Sequence, residues 1–103
     1  MIRHIVLLRF DSKLPEARMD ALLEPFTRLV GHLDGLLAYS GGPYRSPEGI
    51  NRGYNYAFTM DFRDAAARDA YLPSPAHLDT AGRLMAHLAG SFEDSVIAFD
   101  YVC

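Results

Sequence analysis

The chain has 103 residues, of which half are apolar, and a formal net charge of −3. A chain of this length encloses one ordinary hydrophobic core without disulfides or a structural metal, so we expect a single domain over residues 1–103. No basic cluster offers the phosphate-neutralising surface that nucleic-acid binding requires, and no apolar run approaches the roughly 20 residues that span a bilayer. We therefore expect a cytoplasmic protein whose partners include neither nucleic acid nor a membrane.

Residues 2–10 have the pattern of a β-strand that is apolar on both faces. One face carries Ile2, His4, Val6, Leu8 and Phe10, and the other carries Arg3, Ile5, Leu7 and Arg9. Such a strand is typical of a sheet covered on both sides.

Residues 16–33 change to the three- and four-residue spacing of an amphipathic helix. The apolar positions are Met19, Leu22, Leu23, Phe26, Leu29, Val30 and Leu33. Pro25 interrupts this pattern, which predicts either a kink near Leu22 or two shorter helices. Gly35 is the predicted stop.

Two further strands follow the helix. Residues 36–44 predict a weaker strand, in which Gly41, Gly42 and Pro43 indicate a bulge or an edge position. Residues 53–62 alternate cleanly between apolar and polar side chains and predict a second, stronger strand.

The last third of the chain contains two predicted helices and a closing strand. Asp64 is a suitable N-cap for a helix that runs to Leu72, before Pro73. Ser74 and Pro75 begin the next helix, whose apolar stripe ends near Gly90. Residues 92–102 predict the final strand, again with apolar side chains on both faces at its centre.

The order β, α, β, β, α, β, with the second crossover broken into two helices, defines the split βαβ arrangement. It predicts an α+β, ferredoxin-like subunit: a four-stranded antiparallel sheet with helices on one face. The other face retains Ile5, Leu7 and one side of residues 96–99. An apolar face of this size normally marks an association surface, so we expect a homodimer that forms through the sheet faces.

His77 is the histidine most suited to chemistry. It is the third residue of the predicted helix, where unpaired N–H groups and the positive end of the dipole favour the neutral imidazole that a general base requires. The alternative is that His77 only helps to cap the helix. The histidines are not spaced as a metal-binding pair, so we expect no metal.

Other polar residues have two interpretations. His4 lies among apolar neighbours and is either a hydrogen-bonded core residue or part of a site. Tyr71, Tyr54 and Tyr56 have the amphipathic shape of pocket residues, but tyrosine packs equally well in a half-buried sheet. Asp100 is interpreted as a surface charge, together with Glu93 and Asp94.

Several segments together resemble the stress-responsive A/B barrel (Dabb) family of the dimeric α+β barrel superfamily. They are the opening residues 2–10, the loop and strand residues 46–54, the stretch Ala70-Tyr71-Leu72-Pro73-Ser74-Pro75-Ala76-His77, and the closing Phe99-Asp100-Tyr101. The resemblance implies a ferredoxin-like subunit, a dimer formed by sheet packing, no cofactor, and a cavity between sheet and helices.

The resemblance also implies site residues. A plant polyketide cyclase of this family has its working histidine and tyrosine at positions that correspond to His77 and Tyr71, and a first-strand histidine that corresponds to His4. This chain has Phe26 where that cyclase has a pocket tyrosine and Tyr56 where it has a histidine. We therefore consider His77 and Tyr71 as catalytic candidates, and His4, Phe26 and Tyr56 as substrate-binding candidates.

Two hypotheses follow. In the first, the chain is a small homodimer of this family that holds a small apolar or aromatic ligand, or whose polar residues only satisfy internal hydrogen bonds. In the second, it is a cofactor-free enzyme, similar to a polyketide cyclase or lyase. That enzyme would act on an enolisable or aromatic carbonyl compound, with His77 as base and Tyr71 holding the developing oxyanion.

Overall fold

The computed structural model describes residues 1–103 and contains one four-stranded sheet with helices on one side. The elements are β1 (Ile2–Leu8), α1 (Glu16–Thr27), β2 (Leu36–Pro43), β3 (Tyr56–Phe62), α2 (Ala65–Tyr71), α3 (Pro75–Met85), α4 (Phe92–Ser95) and β4 (Val96–Val102). The strands are antiparallel in the order β2-β3-β1-β4. The predicted α+β, ferredoxin-like fold is therefore confirmed. None of the helices has both the length and the hydropathy needed to cross a membrane.

The core lies between the sheet and the helices. Alternate residues of each strand point to this side, because successive side chains of a strand point to opposite faces. The buried members of β1 and β3 are His4, Val6, Leu8, Tyr56, Phe58, Met60 and Phe62. Met19, Leu23 and Phe26 of α1 pack against them, as do Tyr71 of α2 and Leu84 of α3. The face assigned to His4 from its alternation in the sequence is thus correct.

The other face of the sheet has no covering layer within the chain. Ile5 and Leu7 of β1 point to this face, where the sheet register pairs them with Phe99 and Ile97 of β4. Phe99 is 63 % exposed and Ile97 is 42 % exposed. The apolar uncovered face that the sequence predicts is therefore present.

Helix α1 is shorter than the sequence pattern predicts. It contains Pro25 and ends at Thr27 instead of Leu33. Proline has no N–H to donate to the preceding turn, which weakens the helix near its end. Gly31 then has a φ of +84°, a left-handed conformation that an α-helix cannot continue through. Residues 28–33 therefore form separate turns, and their apolar side chains still pack against the core.

The closing strand also begins later than predicted. The first four residues of the predicted strand form the short helix α4 instead. Its N-cap is Ser91, whose hydroxyl oxygen accepts a hydrogen bond from the N–H of Asp94 at 3.2 Å. Ser and Asp side chains stabilise such turns by bonding to nearby backbone groups. Strand β4 therefore starts at Val96 rather than Phe92, and the second crossover contains three helices instead of two.

The predicted caps of α2 and α3 are confirmed. Asp64 accepts a hydrogen bond from the N–H of Ala67 at 2.9 Å, and the Ser74 hydroxyl accepts one from the N–H of His77 at 3.3 Å. The Ser74 bond fixes the first turn of α3 directly after α2. Tyr71, at the end of α2, and His77 are thereby brought to the same part of the core.

Strand β2 lies at one edge of the sheet, as its glycines and proline predict. Its irregularity falls between Leu36 and Ala38, not at the glycines. Gly41 has a different role: a Cβ atom there would lie 2.8 Å from Cβ of Phe58 and 2.8 Å from the hydroxyl of Tyr39. The absence of a side chain at Gly41 lets Tyr39 stack on Phe58, with 5.6 Å between ring centroids.

Candidate small-molecule site

A cavity of about 230 Å³ separates part of the sheet from the helices. Its walls are mostly apolar; the sheet side comes from β1, β3 and β4, and the other side comes from all four helices. The polar side chains that line it are those of His4, Tyr71 and His77. An apolar cavity with a few converging polar groups is the usual form of a small-molecule site.

His77 is held by a hydrogen bond to the main chain. Its Nδ1 atom lies 2.6 Å from the carbonyl oxygen of Leu72. A carbonyl oxygen only accepts hydrogen bonds, so the proton of this bond is on Nδ1 of the histidine. In the neutral ring the Nε2 atom then carries the lone pair, and it is the nitrogen left for a bound molecule.

Tyr71 lies beside His77, with 4.7 Å between the ring centroids, and is completely buried. Its hydroxyl has no hydrogen-bond partner. Burial raises the pKa of Tyr71 well above its ordinary value, and the nearby hydroxyl of Tyr39 raises it further. Tyr71 is therefore a neutral hydrogen-bond donor that lacks an acceptor.

His4 is buried on β1 and is part of a chain of three polar side chains. Its Nδ1 atom lies 2.7 Å from Oδ1 of Asp100, and Nη1 of Arg68 lies 2.8 Å from Oδ2 of the same carboxylate. Burial acts to raise the pKa of Asp100, but the hydrogen bonds from Arg68 and His4 outweigh it and hold that pKa below its ordinary value. As in His77, Nδ1 bonds to the protein, and Nε2 makes no hydrogen bond within the chain.

The structure places the two remaining predicted site residues differently. Phe26 lines the cavity, and its ring is nearly parallel to that of His77, with a centroid distance of 6.4 Å. Tyr56 is buried on the helix-covered side of β3 but does not line the cavity, and its hydroxyl donates to Oδ1 of Asp20 at 2.8 Å. The fold thus brings together His4, Phe26, Tyr71 and His77, but not Tyr56.

Sequence reasoning missed Asp100 and Arg68. The interpretation of Asp100 as a surface charge was wrong, since only 21 % of its side chain is exposed and it bonds to both His4 and Arg68. The feature that could have identified Asp100 is the register of β1 and β4, which places Asp100 directly opposite His4. That register depends on where β4 begins, and the sequence pattern did not locate its start.

The chain contains no group of three or more His, Cys, Asp or Glu side chains that could hold a metal ion. The polar groups among the side chains that line the cavity are two imidazoles and one phenol hydroxyl. These groups accept and donate protons and hydrogen bonds.

A ferredoxin-like sheet with helices on one face and an apolar cavity between the two layers defines the class of α+β barrel subunits. Residues 2–103 match the family model described as the Stress responsive A/B Barrel Domain, Dabb. The chain belongs to this family, as its segments 2–10, 46–54, 70–77 and 99–101 indicated.

Three similar proteins illustrate the range of the fold. The stress-response A/B barrel domain-containing protein HS1 of Arabidopsis thaliana is 25 % identical over 100 residues, which are 97 % of this chain and 87 % of HS1. A dimeric ferredoxin-like protein of unknown function from Jannaschia sp. CCS1 is 30 % identical, with a TM-score of 0.80 over 99 % of this chain and 98 % of that one. The hydroxynitrile lyase of Passiflora edulis shares the fold, with a TM-score of 0.80 at 20 % identity over 99 % of this chain and 92 % of the lyase.

Proposed function

We propose that this chain forms a homodimer that binds a small apolar or aromatic molecule in the cavity between the sheet and the helices. The observation that carries the proposal is that two histidines are held by the protein in the same way. His4 and His77 each give Nδ1 to a protein acceptor, so each has Nε2 left for a ligand inside an apolar cavity. Two fixed polar points among apolar walls favour a flat ligand with one or two oxygen atoms.

The uncovered face of the sheet supports the homodimer. Phe99 and Ile97 are large and exposed there, beside Ile5 and Leu7. A contiguous apolar patch on a small protein normally marks an association surface, and a twofold contact between copies is the commonest arrangement. The related Jannaschia protein is described as dimeric.

Sedimentation equilibrium tests the dimer. Phe99→Asp places a charge at the centre of the exposed patch and should yield a folded monomer, whereas Asp69→Asn on the opposite layer should leave the dimer intact. A wild-type protein that sediments as a monomer at micromolar concentration contradicts this part of the proposal.

Catalysis without a cofactor is a second candidate, and a separate observation favours it. Tyr71 has a buried hydroxyl with no acceptor, next to His77, whose ring is fixed by Leu72. A buried unpaired hydroxyl costs about 1–3 kcal/mol, which an oxyanion formed during a reaction would recover. The arrangement suits removal of a proton from the carbon next to a carbonyl group.

The steps balance without any added reagent. Nε2 of His77 takes the proton, the C–H electron pair forms the enolate, and the negative charge moves to the carbonyl oxygen, which accepts a hydrogen bond from Tyr71. Return of the proton from His77 to carbon, or to a second reacting group of the same molecule, completes the cycle. Phe26, parallel to the His77 ring, forms a wall for a planar ligand.

Binding is tested first, with a panel of small aromatic aldehydes, ketones and phenols. We expect some of these to raise the melting temperature of the wild type and to lose this effect in His77→Ala, while the exposed His32→Ala behaves like the wild type. Equal shifts of the melting temperature in all three proteins would show that the compounds bind outside this cavity.

Proton abstraction is then tested on the ketones that bind. Exchange of their α-protons in D₂O, followed by NMR, should be accelerated by the wild type and by His32→Ala but not by His77→Ala. Binding without exchange leaves the ligand-binding proposal standing and removes the catalytic one.

A further inference from the structure

Arg68 is a charged residue of α2 that the proposed function does not use. Its side chain is only 24 % exposed, and it makes two ion pairs. Its Nη1 atom lies 2.8 Å from Oδ2 of Asp100 on β4, and its Nε atom lies 3.0 Å from Oδ1 of the exposed Asp69. The other carboxylate oxygen of Asp100 lies 2.7 Å from Nδ1 of His4. Arg68 is therefore joined, through one partly buried carboxylate, to a residue of the cavity wall.

The two partners of Asp100 compete for the same negative charge. A carboxylate that is bonded to a histidine alone favours the imidazolium, because the two opposite charges then neutralise each other. Here the guanidinium of Arg68, which stays protonated at every ordinary pH, already neutralises the carboxylate. A second proton on His4 would leave one uncompensated positive charge beside a mostly apolar cavity, where an unpaired charge is costly. Arg68, Asp100 and His4 are therefore balanced when His4 is neutral.

The other groups around His4 supply no negative charge that would change this balance. From β3, the rings of Phe58 and Phe62 pack edge-on against the imidazole, with centroid distances of 6.4 and 6.3 Å. Tyr71 of α2 packs at 6.3 Å, and burial raises the pKa of its hydroxyl, so it is a neutral phenol. The titratable group from α3 is His77, which lines the same cavity and cannot become an anion at ordinary pH. Asp100 is thus the carboxylate on which the charge of His4 depends.

The charge of His4 decides which ligand group it can take. In the neutral ring the proton lies on Nδ1, facing Asp100, and Nε2 carries a lone pair that makes no hydrogen bond within the chain. Such a nitrogen accepts a hydrogen bond from a hydroxyl group. A charged His4 would instead present an N–H group at Nε2 and would attract a carboxylate.

We propose that Arg68 is a positioning residue that keeps His4 uncharged, so that the cavity takes a neutral aromatic hydroxyl compound in preference to an aromatic carboxylate. This inference rests on the ligand-binding function proposed above and adds the chemical class of the group that meets His4. The ligand then carries an O–H group for His4 and a hydrogen-bond acceptor for Tyr71, whose hydroxyl has no partner within the chain.

Long-range ¹H–¹⁵N spectra recorded against pH test the role of Arg68 without any ligand. Wild-type His4 should be neutral at neutral pH, and in Arg68→Met it should gain its second proton at a pH about one unit or more higher, because Asp100 then pairs with His4 alone. Arg68→Lys, which keeps the charge, should restore most of the wild-type behaviour, and Asp69→Asn should match the wild type. Equal titrations in the wild type and Arg68→Met would overturn the proposal. A wild-type His4 that is charged at neutral pH would overturn it without any variant.

Calorimetric titration with phenol and benzoate, which share a ring and differ in the polar group, tests the ligand class. The wild type should bind phenol more tightly than benzoate at neutral pH, and in Arg68→Met the ratio of the two dissociation constants should shift towards benzoate by roughly tenfold or more. A wild type that prefers benzoate, or a ratio that Arg68→Met leaves unchanged, would overturn the proposal. Failure of both compounds to bind would instead overturn the ligand-binding function itself. The two failures are distinguishable because the titration of His4 needs no ligand.

Discussion

The Nδ1 atom of His77 donates a hydrogen bond to the carbonyl oxygen of Leu72, 2.6 Å away. Leu72 is the C-cap of α2 and His77 lies in the first turn of α3, so one bond joins the two helices and orients the imidazole. A neutral histidine that donates its Nδ1 proton to a carbonyl oxygen has a fixed tautomer. The same bond therefore has both a structural and a chemical consequence.

The first prediction concerns that tautomer. Long-range ¹H–¹⁵N spectra of the histidine side chains should show neutral His77 with its proton on Nδ1 and a bare Nε2, because the Leu72 carbonyl can only accept. His32, which is exposed and makes no such bond, should show the mixture usual for free imidazole. A His77 proton on Nε2 would contradict the geometry and remove the proposed base.

The second prediction concerns the hydroxyl of Tyr71, which has no hydrogen-bond partner. Tyr71→Phe removes a buried group that has no partner, so the free energy of unfolding should be unchanged or higher. Tyr56→Phe is the matched control. It loses the bond to Asp20 and should be destabilised by about 1 kcal/mol in urea unfolding.

The functional effect of Tyr71→Phe should be the opposite of its effect on stability. If the hydroxyl stabilises an oxyanion, the variant should lose most of the α-proton exchange that His77 promotes while it still binds ketones. An equally active Tyr71→Phe would leave His77 without its proposed partner.

The sequence pattern was sufficient for those features that local interactions determine. Alternation in residues 2–10 identified the face of His4, and Ser74 with Pro75 located the start of α3. Both depend on residues close together in the chain. The helix end at Thr27 and the start of β4 at Val96 were missed, because apolar periodicity reports neither the left-handed backbone of Gly31 nor the side-chain cap that Ser91 provides.

The site was predictable to the extent that its residues lie close in sequence. Tyr71 and His77 lie on two consecutive helices and both line the cavity, and their role there stays a prediction. Asp100 was missed because its contact with His4 joins the first and last strands. Tyr56 was a substrate-binding candidate on the same resemblance, but its hydroxyl donates to Asp20 on α1 and the residue does not line the cavity.

The third prediction concerns Gly41 and Gly42, which lie next to each other on β2 and face opposite sides of the sheet. Gly41→Ala should destabilise the protein by roughly 1–3 kcal/mol, because the added Cβ would press on Phe58 and on the hydroxyl of Tyr39. Gly42→Ala, with open space around it, should change the free energy of unfolding little. Urea unfolding of the two variants side by side checks the packing of β2, and equal losses would contradict it.

The fourth prediction concerns the acid stability that Asp100 provides. The hydrogen bonds from Arg68 and His4 lower the pKa of Asp100 below the value of about 3.9 that an unfolded chain has. A carboxyl group with a depressed native pKa contributes stability that is fully present above the unfolded pKa and is lost as pH falls through the native one. Asp100→Asn should therefore be less stable than the wild type at neutral pH, and the difference should shrink in acid.

Urea unfolding between neutral pH and about pH 2 measures this difference. The control is Asp69→Asn, since Asp69 also pairs with Arg68, at 3.0 Å, but its side chain is 64 % exposed and does not touch His4. Exposed ion pairs contribute little, so this variant should follow the wild type closely at every pH. A gap between wild type and Asp100→Asn that stays constant down to acid pH would show that Asp100 acts by shape alone. Its charge would then have no part in holding His4 at the cavity wall.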